Sequence, residues 1–175
     1  MQKSFAEYST RVEEHLERVY AIRVVSRDFA GTFFGDLDGA EIHIASAVPP
    51  EQRLFLLAHL FGHTVQWNVD VRAFDLGQQY QYPVDRRDLP AIVSYEREAA
   101  SYALEMLHEA GITDVDRWFS DYAACDEAYL LHYYGTGEKR EFLSFWRDHA
   151  PLVQPISIPL FTPTRKRFRL QGVVI

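Results

Sequence analysis

A chain of 175 residues fits a single domain, residues 1–175, and is long enough to bury a core. Hydrophobic residues make up 47%, charged residues 25% and aromatic residues 14%, which argues against disorder. A formal charge of −7 speaks against broad nucleic-acid binding, which needs a positive surface, and the single Cys125 excludes an internal disulfide.

In chain order, Phe5, Tyr8, Val12, Leu16 and Tyr20 recur at helical spacing, which predicts an amphipathic helix from about Ser4 to Tyr20. Ala21 to Val25 has β-branched character and is expected to be a strand. Two further short strands hold Phe33-Phe34 and the alternating Ala40-Glu41-Ile42-His43-Ile44, punctuated by Gly35 and Asp38-Gly39. Pro49-Pro50-Glu51 then opens a helix that should reach about Trp67. Asn68 to Pro90 lacks periodicity and is expected to be a surface excursion. A helix from Pro90 to about Ala110 is stopped by Gly111; two more are expected over Asp114–Tyr134 and Glu138–His149. From Pro151 onward, repeated prolines predict an extended tail, about 151–175. The opening Met1 to Glu7 has no apolar signal region and no run is long enough to span a bilayer, so a cytoplasmic protein without a membrane partner is expected.

The chemistry concentrates in Ala58-His59-Leu60-Phe61-Gly62-His63. Histidines four apart share one helical face and can grip one metal, as in the H-E-x-x-H pattern of zinc peptidases. The residue after the first histidine should then be the glutamate that serves as general base. Here it is Leu60, which accepts no proton. Two histidines also need a third protein ligand. Glu98, flanked by Ala99 and Ala100 that let helices approach closely, is the expected donor; Glu105 is the fallback, and Glu96 is expected to point away.

Pro50 to His63, with Glu96-Arg97-Glu98-Ala99 and Tyr102-Ala103 downstream, resembles the core of the ImmA/IrrE family of zinc metallopeptidases. The resemblance covers roughly Ala40 to Leu107. It implies a zincin-like α+β fold, with a small, twisted, mainly antiparallel sheet packed on the His59/His63 helix and the Glu98 helix. Leu54, Leu57, Phe61, Val65, Ala103 and Leu107 should then be buried. It also implies zinc held by His59, His63 and Glu98, and a peptide or protein ligand, such as a DNA-binding repressor. No catalytic residue carries over, because the family's glutamate maps onto Leu60.

Three functions follow. The first is a catalytically impaired, zinc-binding protein that recognises peptides or proteins. The second is an active metallohydrolase with an unconventional base, and the third a metal-free interaction domain. Glu41 and Glu51 read as surface or edge carboxylates, and His43, His108 and His132 as structural. Tyr80, Tyr82, Tyr95 and Tyr102 are better core aromatics than oxyanion donors, and Arg165-Lys166-Arg167-Phe168-Arg169 reads as a charged edge.

Overall fold

The computed structural model describes residues 4–29, 33–78, 83–166 and 173–174. The first helix, α1 (Phe5–Tyr20), opens on a capping box: the Ser4 side chain accepts from the Glu7 N–H while Glu7 reaches back to the Ser4 N–H. Its C-cap is Ala21, in the left-handed conformation at φ 54°, and Ile22 closes the turn onto the Leu16 carbonyl. That cap consumes the residues expected to begin the first strand, so β1 starts later and spans Arg23–Arg27.

β2 (Phe33–Leu37) and β3 (Glu41–Ala45) form a hairpin. Its Asp38-Gly39 turn is held by Asp38 Oδ1, which accepts from the N–H groups of Ala40 and Glu41, and by Gly39 at φ 90°. The sheet order is β1-β3-β2-β4, with β4 (Val173–Val174) contributing two residues at one edge. β3 pairs with β1 in parallel and with β2 antiparallel. Two of the three pairings are antiparallel, in line with the mainly antiparallel sheet expected, and the β1–β3 pairing makes the sheet mixed. The reason is the hairpin: β3 folds back between β1 and β2, and so runs in the direction of β1.

α2 (Pro50–Val69) lies at the centre, against α1, the β2–β3 hairpin and α4 (Leu89–Glu109). Every residue from Leu54 to Trp67 is buried, as befits a helix covered on all sides. Leu54, Leu57, Phe61, Val65, Ala103 and Leu107 are all buried, as expected. The α2–α4 approach is close enough that a Cβ added at Gly62 would lie 2.1 Å from the Ala99 carbonyl oxygen.

Part of the supposed excursion is helical: α3 (Val71–Leu76) starts at Asp70, whose side chain accepts from the Arg72 N–H. α5 (Asp116–Thr136) ends on Gly137 at φ 74°. The helix expected over 138–149 is reduced to a 3₁₀ turn, Phe142–Phe145. Aromatic packing takes precedence over helical continuation there, for Phe142 and Trp146 pack on Tyr122 while Phe145 meets Tyr129. From Pro151 to Lys166 the chain is neither helix nor strand, and 167–172 and 175 of the tail lie outside the described residues. It is tied down by Val153 N–H to Ser120 Oγ at 3.0 Å, Thr164 N–H to Asn68 Oδ1 at 3.0 Å and Lys166 N–H to the Asp38 carbonyl at 2.6 Å. The chain is α+β, and among the described residues no helix is long and apolar enough to cross a membrane.

Candidate metal centre

α2 delivers His59 and His63 one turn apart, their rings 4.5 Å apart and nearly perpendicular. Each ring is clamped from outside: His59 stacks on Phe55 at 5.4 Å and His63 on Tyr95 at 4.4 Å. The third arm comes from α4, and it is Glu96. Its Oε2 lies 3.2 Å from His63 Nε2 and 3.7 Å from His59 Nε2, while the two Nε2 atoms are 3.1 Å apart. His59, His63 and Glu96 are all buried and can hold a metal ion.

Glu98, the expected ligand, does not reach this point. Its side chain is exposed and its Oε2 accepts from Gln66 Nε2 at 2.7 Å. The cause is helical phase. Ile92, Glu96, Ala99, Ala103 and Leu107 are spaced by four, three, four and four residues, and all are buried along one stripe of α4. Position 98 falls outside that stripe. The same stripe was readable in the sequence and would have picked Glu96. Glu105, the fallback, is half-buried on α4 and outside the trio.

The spacing suits a single small cation. Ligand bonds of about 2.0–2.2 Å in tetrahedral geometry put donor atoms roughly 3.3–3.5 Å apart, close to the three separations found here. Two imidazoles and a carboxylate are also the donor chemistry zinc favours. Burial, then the neighbouring His63, push His59 down to about 3, so its ring is neutral and available for ligation. Burial pushes the Glu96 carboxyl up, but the two imidazoles outweigh it and hold the group below the usual value.

A cleft of about 460 Å³ opens beside the trio, lined by His59, Glu96, Ser120, Asp126 and the tail residues Leu152 and Val153. Asp126, on α5, is buried with its Oδ2 3.8 Å from His59 Nδ1. Burial, then the Glu96 charge, raise its carboxyl well above the usual range. Nothing in the sequence flagged this residue, because its partner lies 67 positions away on another helix. Leu60 does not line the cleft; it is fully buried, and a Cβ on Gly35 of β2 would lie 2.8 Å from its Cδ1.

The remaining candidates are structural. Glu51 accepts from the Trp118 indole at 2.8 Å, and His108 pairs with Asp116 at 2.8 Å. His132, on α5, packs against Phe145. Tyr95 donates no contact to the cleft; its hydroxyl accepts from Trp67 Nε1. Tyr102 is buried, whereas Tyr80, Tyr82 and Arg167 to Arg169 lie outside the described residues. Asp38, Glu41 and His43 form a second acidic group, but Arg165 lies 2.8 Å from Asp38 and 3.1 Å from Glu41, and Arg23 lies 2.8 Å from Glu41. Guanidinium groups already supply the positive charge there.

Cys125 is buried, with Sγ 3.4 Å from the Phe142 carbonyl, and burial pushes its thiol up to about 12. The native protein should therefore resist a thiol reagent such as iodoacetamide at pH 8, while denatured protein reacts fully. Equal labelling rates in both states would contradict this burial.

No protein-family model, curated protein or solved structure matches the chain.

Proposed function

We propose that the chain is a zincin-like, zinc-binding protein related to the ImmA/IrrE metallopeptidases, catalytically impaired, whose cleft recognises a peptide or protein segment in the cytoplasm. The observation that carries this reading is the convergence of His59, His63 and Glu96 on one point, with Leu60 at the motif position that holds the base in the H-E-x-x-H pattern. His59 and His63 through Nε2 and Glu96 through its carboxylate would hold the ion. Bound zinc would supply a Lewis acid able to polarise a carbonyl oxygen. The chain's own contribution is to fix the donors, exclude bulk water by burying them, and leave a cleft on the α5 side wide enough for a drug-sized or short peptide ligand. A DNA-binding repressor is the partner class that the resemblance suggests.

The test has two arms. Elemental analysis should give about one zinc per chain, removed by a chelator, and the zinc-loaded protein should leave a panel of unstructured peptides uncut. Absence of zinc at micromolar supply sinks the metal reading and leaves a metal-free interaction domain. Chelator-sensitive cleavage sinks the impairment instead. That rival, a working hydrolase, draws on Asp126, a buried carboxyl beside His59 at the cleft wall. It requires the cleavage to disappear in Asp126→Asn.

Restoring the peptidase motif by Leu60→Glu should not restore activity. Leu60 faces Gly35 and Leu56 of the core, so a carboxylate there is buried without a partner. The expected result is a loss of about 3 kcal/mol or more, seen as a Tm lower by roughly 6–12 °C for a chain of this size. A variant with unchanged Tm and strong zinc-dependent hydrolysis would refute that placement.

A further inference from the structure

His63 can offer Nε2 to a metal only if its ring proton sits on Nδ1, and a buried imidazole does not choose this form unaided. Its Nδ1 lies 2.9 Å from Gln66 Oε1, one helical turn further along α2. Gln66 is only 1% exposed, so its amide is oriented by protein partners. Its Nε2 lies 2.9 Å from the Tyr95 carbonyl and 2.7 Å from Glu98 Oε2. Both of those partners are acceptors only, so the amide NH₂ must face them and the Oε1 is left for His63. An amide oxygen accepts and cannot donate; the proton on that contact therefore belongs to His63 Nδ1.

We propose that Gln66, oriented by Glu98 and the Tyr95 carbonyl, is a positioning residue that holds a proton on His63 Nδ1, so that Nε2, which faces His59 and lies 3.2 Å from Glu96 Oε2, is the nitrogen left to bind the metal. The inference rests on the metal-binding reading above and extends it to residues that touch no metal. It also gives Glu98 a role: the residue acts two links from the site, through the amide, rather than as a ligand. Outer partners of ligating histidines set ring orientation and tautomer, and losing one costs about 10–100-fold in metal affinity.

The experiment uses the full chain, with zinc affinity measured by competition against a chromophoric chelator and imidazole nitrogen shifts recorded on the metal-free protein at pH 8. Gln66→Leu keeps the volume and removes the acceptor; it should bind zinc about 10–100-fold more weakly. Glu98→Ala should lose less, because the Tyr95 carbonyl still orients the amide. Glu98→Lys, at an exposed position that the fold tolerates, places a donor where an acceptor stood. It favours the flipped amide, drives the His63 proton onto Nε2, and should weaken zinc more than Glu98→Ala does. If Gln66→Leu does not fold, Glu98→Lys carries the comparison. Wild-type protein in which His63 Nδ1 carries no proton overturns the proposal, as does Gln66→Leu binding zinc as tightly as wild type. Wild-type protein that binds no zinc overturns the metal reading alone, and the nitrogen shifts still decide the relay.

Discussion

Glu96→Gln should reduce zinc affinity by more than the roughly 10–100-fold that loss of an outer partner costs, whereas Glu98→Ala should stay within about tenfold of wild type. The contrast is sharp because the two residues are only two positions apart on α4. Glu96 Oε2 stands 3.2 Å and 3.7 Å from the two imidazole nitrogens, and its charge is what balances a divalent ion in a buried site. A glutamine there keeps the size and loses the charge. Glu98 is exposed and spends its contact on the Gln66 amide. Competition titration of both variants measures the effect. Equal losses, or a larger loss in Glu98→Ala, would show that α4 presents its other face to α2 when metal is bound.

The same pair of residues shows how far the sequence could be read. The histidine pair was legible because spacing within one helix fixes a shared face without reference to anything else. The burial of Leu54, Leu57, Phe61 and Val65 on α2 and the α+β class were legible for the same reason: both are carried by local periodicity and local turn chemistry. The third ligand required knowing which face of α4 meets α2. Motif matching pointed to position 98, while the apolar phase set by Ile92, Ala99, Ala103 and Leu107 pointed to 96. The phase carried the physical information, since only residues on that stripe can reach a buried point. Other features were out of reach. The parallel pairing of β1 with β3 depends on strand order, not on strand sequence. The short α3 depends on a cap at Asp70 inside an otherwise aperiodic stretch. Asp126 meets His59 only because α5 folds back beside α2, which no local pattern announces.

Gly62 ties the fold to the site most directly. It lies between the two histidines, and a Cβ there would meet Ala99 of α4 at three backbone atoms: the oxygen at 2.1 Å, the carbonyl carbon at 2.7 Å and the Cα at 2.9 Å. Backbone cannot swing aside as a side chain can, so Gly62→Ala must push α2 and α4 apart over the contact that brings Glu96 to the histidines. Overpacking a core with one methyl costs about 1–3 kcal/mol, and a clash with rigid backbone belongs at the upper end, near 3 kcal/mol. For a chain of this length that lowers Tm by roughly 6–12 °C. Zinc affinity should fall with it, by at least about tenfold, because the donors sit on the two helices being separated. The clash is with the peptide group of Ala99, not with its methyl, so adding Ala99→Gly should rescue neither stability nor zinc binding. Thermal melts and zinc titrations of Gly62→Ala, alone and combined with Ala99→Gly, check both parts. A Gly62→Ala protein with wild-type Tm would mean that the helices are not in backbone contact. Rescue by Ala99→Gly would place the clash on the alanine side chain instead.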